Sequence, residues 1–331
     1  GYALTTGEKN TAIGRYTLGS EDTGSRNIAI GYWALKNLNY DGAAYNIAIG
    51  YQAATTLTTG VYNTIIGGLA GTNLTTGNYN VALGMQALEA EDAHGYNTAI
   101  GFEALKTLNA GANAYNTAVG FQAARLMSTG VQNTIMGAYA GDALTTGSNN
   151  VAIGNNALST EDAHGRNVAV GHNALMTQDA GADAYNIAMG YNSGKLITTG
   201  VKNTIVGGLA GDALTDGEHN TAIGYNSLSA SEGADYNTVL GSNAAAQLTT
   251  GDRNVAIGYK ALNSETDQGY AVAVGYEALE NQNASSNTYN VGVGYLAGTN
   301  ITTGVQNTIV GGLAGDALTT GIGNVAVGYD A

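Results

Sequence analysis

The sequence contains no cysteine and no proline in 331 residues, a single tryptophan and four histidines. Without cysteine there is no disulfide and no thiolate metal site, which leaves the redox compartment open. No apolar run approaches the length that spans a bilayer and no signal-peptide pattern is present, so membrane insertion by this segment is not expected. Basic residues are scarce: 11 Lys and Arg against 25 Asp and Glu leave a formal charge of −14. An acidic surface repels phosphate backbones, so nucleic acid is not an expected partner. HExxH, nucleophile-elbow and P-loop patterns are missing, as is the nine-residue Gly/Asp repeat of calcium β-rolls.

Glycine (50) and tyrosine (21) are plentiful, and their order is periodic. Taking Asn as position 1, the pattern Asn-x-Ala-Ile-Gly starts nineteen times, from Asn10 to Asn324, with Ala271 the one departure at position 1. Position 5 is Gly in all nineteen copies, from Gly14 to Gly328, and position 4 is always Ile, Val, Leu or Met. Copies are 17 residues apart except for four steps of 19, beginning at residues 27, 97, 167 and 271, so that four coils form a 70-residue unit. The unit between Asn150 and Asn220 is followed by a shortened copy, Asn220 to Asn254, that lacks two coils.

A 17-residue coil is too short to bury a face by itself. Positions 2 to 4 suit a strand, Gly at position 5 allows a sharp bend, and a Gly-bearing turn, often "TTG", leads to the next Asn. The expected fold is therefore all-β: a β-solenoid of about 19 rungs of 17–19 residues, one repetitive domain over 1–331, with two short strands and two turns per rung. At ~4.8 Å per rung the expected length is on the order of 85–90 Å. The chain begins with Gly1, and "GYALTTGEKN" and "NVAVGYDA" begin and end partway through a rung, so further repeats or caps are expected beyond both ends.

Side chains alternate along a strand. The reading places position 4 in the rung's own core and position 3, nearly always Ala, on a face that must meet a close neighbour; the reverse assignment stays open. "NTIIGGLAG" at 63–71 looks like a phosphate loop but recurs at 133, 203 and 307. Position 3 is β-branched in five coils (Ile65, Ile135, Ile205, Val239, Ile309), and position 6 is then small (Gly68, Ala138, Gly208, Ser242, Gly312). Volume conservation would explain this if positions 3 and 6 share one packed space. For the Asn row, an in-register ladder or local turn capping is expected.

The repeat resembles the head repeats of trimeric autotransporter adhesins, with their "(N/S)xAIG" motifs, and is closer still to the "NTAIGYxAL…TTG…N" repeats of phage tail fibres and large surface proteins. "NTAIGFEALKTL" from Asn97 and "NVAIGYKALNS" from Asn254 carry the likeness, which spans essentially the whole chain. The resemblance implies a left-handed β-roll, three chains side by side as a homotrimer, an extracellular, cell-surface or virion setting, and attachment to a cell-surface receptor or glycan. The coil here is longer than in the adhesin heads, and no heptad stalk, membrane anchor or chaperone-like tail is present.

Chemistry-bearing residues are few. His94 and His164 lie in "EDAHG" repeats beside carboxylates, where they could bind a cation or simply form a polar surface turn. Glu91–Asp92 and Glu161–Asp162 are expected to be adjacent exposed carboxylates, unlike catalytic pairs that flank a bond. No catalytic residue, cofactor or metal site is assigned, and the chain is not expected to be an enzyme. The loops of the 19-residue coils are the candidate receptor-facing sites: Tyr40 and Asp41, Asn109 and Asn113, Asp179 and Asp183, Asn283 and Ser285. The alternatives are an ice-binding solenoid, weakened because position 2 is Thr in only nine coils, and a glycan-cleaving β-helix, which would need longer insertions.

Overall fold

A computed structural model describes residues 1–331. The chain is an all-β solenoid with one strand per coil, nineteen in all, every strand three residues long and no helix. It divides into two compact units, Gly1–Arg166 and Asn167–Ala331. The first holds β1 (Thr11–Ile13) to β9 (Val151–Ile153), the second β10 (Val168–Val170) to β19 (Val325–Val327). Within each unit, successive strands pair in parallel with equivalent residues opposite one another, as in Ala12↔Ala29 and Ile205↔Ala222.

The second segment of each rung, expected as a strand, is a turn. Positions 7 and 9 adopt left-handed backbone in coil after coil, as at Trp33 (φ 64°) and Leu35 (φ 49°). Alternation of left- and right-handed residues still aims N–H and C=O along the stack, so Gln52 N–H donates to Tyr32 O (2.8 Å) and Leu35 N–H to Ala53 O (3.2 Å). Periodicity alone could not separate this from a strand, because both present inter-coil hydrogen bonds once per rung.

Gly at position 5 is needed on two counts. Its φ is strongly positive, +145° at Gly120, and a Cβ there would lie 2.6 Å from the Gly137 carbonyl carbon of the next coil. Both conditions recur along the row, with φ +140° at Gly190 and 2.5 Å to Gly207 O.

The strand faces are the reverse of the preferred sequence reading. Position 3 points into the coil: Ala29, Ala48, Ala118 and Ala188 are fully buried, and Ile65 is 1% exposed. Positions 2 and 4 point outward. The Ala row is small because the coil is narrow, and its neighbours across the lumen are positions 9 and 12.

This also changes the account of "NTIIGGLAG". Position 6 is on the outside, with Tyr51 and Phe121 exposed, and nothing in the structure couples it to position 3. The partner is position 9. A Cβ on Gly71 would lie 3.3 Å from Ile65 Cγ2, and one on Gly315 would lie 3.0 Å from Ile309 Cδ1. Three fillings of one lumen result. Ile at position 3 goes with Gly at 9 (Ile65 and Gly71). Ala goes with Leu (Ala99 and Leu105). Small residues at both also occur, as in Ala118 and Ala124, with Met127 at position 12, a site that holds Leu74 and Leu108 in the other two examples.

The Asn row forms both predicted arrangements at once. Asn63 Oδ1 accepts from Asn80 N–H (2.9 Å), while Asn63 Nδ2 donates to Gly77 O (2.9 Å) in the turn of its own coil. The second unit repeats this at Asn203 and Asn220 (2.9 Å). These Asn are buried, so each side chain satisfies backbone groups that water cannot reach. The ladder pauses at Ala271, whose N–H still donates to Asn254 Oδ1 (2.9 Å) but which offers the next coil no side-chain acceptor.

Candidate interaction face

Because position 3 is consumed by the lumen, positions 2 and 4 leave an apolar strip on the outside of each unit. In the first unit Ile13, Ile28, Leu83 and Met136 are exposed, and in the second Ile187, Met189, Leu240 and Val310. The strip is continuous in each unit because the strands are in register, so every coil adds one Thr, Val or Ile and one Ile, Val, Leu or Met.

Aromatic rings flank it in stacks. Tyr45, Tyr62, Tyr79, Tyr96 and Tyr115 form a column with successive centroids 5.4, 5.1, 5.1 and 5.0 Å apart. Position 6 forms others, such as Tyr259, Tyr276 and Tyr295 at 5.3 and 5.4 Å. A ring stacked on both sides has no free face to offer a sugar, so along these columns only edges and hydroxyls meet solvent. An aromatic group of different shape lies in the first two coils, where Tyr2, Tyr16, Tyr32 and Trp33 line a cavity with Arg15 and Lys36. Trp33 stacks on Tyr32 at 4.9 Å, Lys36 Nζ lies 4.1 Å from its ring, and its indole N–H has no hydrogen-bond partner.

The sequence-selected loop residues are accessible, but within each unit they do not converge. Asp41, Asn109, Asn113, Asp179, Asp183, Asn283 and Ser285 are exposed, and Tyr40 is half-buried. The loops carrying Asp41 and Asn113 stand four rungs apart in the first unit, about 19 Å at strand spacing. Several of these side chains pin the loop to the preceding coil. Asp41 Oδ1 accepts from Thr23 Oγ1 (2.9 Å), Asn113 Oδ1 from Gly95 N–H (3.1 Å) and Asn283 Oδ1 from Thr266 Oγ1 (3.3 Å).

One set of residues was misplaced by the sequence reading. Glu91 and Glu161, taken as exposed carboxylates, are fully buried, as are Glu21 and Glu265. All four occupy position 12, where other coils carry Leu57, Leu74 or Met127. That column alignment was the signal available in the sequence. Burial holds the Glu21 and Glu265 carboxyls above the usual glutamate range, against hydrogen bonds that pull the other way.

No protein-family model matches the chain, and no curated protein matches it.

Proposed function

We propose that the chain is a non-catalytic structural and adhesive fibre segment, held side by side with copies of itself as a homotrimer, outside the cell or on a virion. The observation that carries this is the apolar strip at positions 2 and 4, unpartnered along each unit. An exposed apolar surface of that continuity favours association, and an obligate partner of the same chain would bury it from first coil to last in each unit. Closed symmetry around the strip gives a finite assembly instead of unlimited lateral growth. The resemblance to trimeric adhesin heads and tail-fibre repeats supports three copies. In such an assembly the 19-residue-coil loops and the aromatic cavity around Trp33 stay outside, where a surface receptor or glycan would be met.

The test replaces Ile100 and Met136 with Lys, which puts charge on the strip and leaves the lumen untouched. The expected result is loss of the assembled species in sedimentation velocity with the β-type circular dichroism kept. An assembly that persists unchanged would show that another surface holds the copies together.

A further inference from the structure

Four turns of the solenoid begin with a buried glutamate at position 12, and those at Glu21, Glu265 and Glu91 differ in how the carboxylate is satisfied. A buried charge needs donors on its oxygens. Glu21 has them: Gly24 N–H donates to Oε1 (2.7 Å) and Tyr40 N–H to Oε2 (3.3 Å). Glu265 has them too, from Thr266 N–H (3.1 Å) and Gln268 N–H (3.3 Å) to Oε1 and from Gln282 Nε2 (3.2 Å) to Oε2. At Glu91, Oε1 accepts from His94 N–H (3.1 Å), but Oε2 is buried with no hydrogen-bond partner.

The same turn differs in what stands at position 15. Elsewhere this is Gly24 or Gln268; here it is His94. His94 Nδ1 lies 3.3 Å from Glu91 Oε1 and 4.0 Å from Asp92 Oδ1, and it too is buried without a hydrogen-bond partner. One ligand atom from each of the three residues falls within 4.8 Å of the others. The turn thus gathers one nitrogen and two carboxylates, lacks the donor that the sister turns supply, and opens to solvent on the Asp92 side, whose side chain is 50% exposed.

We propose that Glu91, Asp92 and His94 bind a divalent transition-metal ion of the zinc type. Bonds of about 2.0–2.2 Å in a tetrahedral site separate neighbouring ligand atoms by about 3.3–3.6 Å. The Glu91–His94 pair already has that separation (3.3 Å), and the exposed Asp92, 4.0 Å from His94 Nδ1, closes toward it by a few tenths of an ångström on binding. An imidazole ligand favours zinc, cobalt or nickel over calcium and magnesium, which take oxygen. Three protein ligands leave a position for water. The backbone of the turn is held independently of the ion, by Asn80 Nδ2 on His94 O (3.1 Å) and Asn113 Oδ1 on Gly95 N–H (3.1 Å). The trio recurs 70 residues on, where Glu161, Asp162 and His164 again lie within 4.8 Å and His164 Nδ1 is 3.3 Å from Glu161 Oε1. Two such ions per chain are expected from these two clusters.

The experiment uses the full chain without an affinity tag, stripped with a chelator and titrated with zinc chloride by calorimetry. The expected stoichiometry is two ions per chain for the parent, one for His94→Gln and none for His94→Gln with His164→Gln, following the two clusters. Glutamine is chosen because Gln268 occupies the same position in a sister turn, and metal-free thermal unfolding of the variants should match that of the metal-free parent. Failure of the parent to bind zinc saturably would overturn the proposal, and so would an unchanged stoichiometry in the double variant.

Discussion

The two sides of a single coil follow different rules. On the strand side, position 5 is Gly in every coil, because neighbouring backbones stack there at strand spacing. At the corner around position 12, the same column accepts Leu57, Met127, Ile197, Glu265, Gln282 and Ser231, all buried. Position 5 is limited by contact between backbones, which no side-chain exchange can relieve. The corner is limited by volume and by the supply of hydrogen-bond donors, and both can be met in several ways. A polar residue is tolerated in this core where the turn itself can solvate it.

The sharpest way to break that comparison is to add a side chain on the strand side. Gly120→Val combines a strongly positive φ with a clash against the Gly137 backbone. The expected loss is roughly 3–5 kcal/mol, or failure to fold, read by chemical denaturation. A smaller effect follows from Asn116→Ala. It strands the carbonyl of Gly130 and the N–H of Asn133, both of which the buried Asn116 side chain now satisfies. A cost of about 2–3 kcal/mol is expected, and a negligible change would mean that water reaches the ladder.

Next comes the lumen. Ala118→Ile should overpack against Ala124 and Met127, costing roughly 1–3 kcal/mol. Adding Ala124→Gly should recover part of this, since Ile with Gly is the native filling at Ile65 and Gly71. Adding Phe121→Gly should contribute only additively, because Phe121 lies outside. The two double-mutant cycles therefore separate positions 9 and 6 as partners of position 3.

The smallest effect tests the polar corner. Burial holds the Glu265 carboxyl above its ordinary value. The folded chain then keeps a proton that the unfolded chain releases, so stability falls as pH rises from the ordinary glutamate range through the raised folded value. Glu265→Gln should reduce that slope, in denaturation midpoints followed from acid to neutral pH, leaving the part that Glu21 supplies, and the full slope should survive in Glu277→Gln, where the carboxylate is not at position 12.

Much of this fold was legible in the sequence. The coil count and the 70-residue unit follow from spacing, and the strand at positions 2 to 4 from its residue types, while the second segment, expected as a strand, is a turn; for the Asn row the sequence offered a ladder or turn capping without choosing between them. What spacing could not supply was direction. Alternation shows that positions 3 and 4 face opposite ways, but both are apolar, and only the width of the lumen decides that Ala48 points in and Ile49 out. The covariation of Ile65 with Gly68 was visible, yet Gly71 was the physical partner, concealed because Ala124 and Gly194 also carry small residues at position 9 beside Ala at position 3. Seven of the eight loop residues lie exposed, and Tyr40 is half-buried. Their role in pinning one coil to the next, as for Asn113 on Gly95, depends on a neighbour 18 residues away that no local motif announces.

The outward strip is the central claim, and the mass of the particle in dilute native buffer tests it most directly. Multi-angle light scattering on the chain of 33.4 kDa should give a species of three copies, roughly 100 kDa. A stable monomer would contradict the account, leaving the apolar strip to a single-chain role such as ice binding.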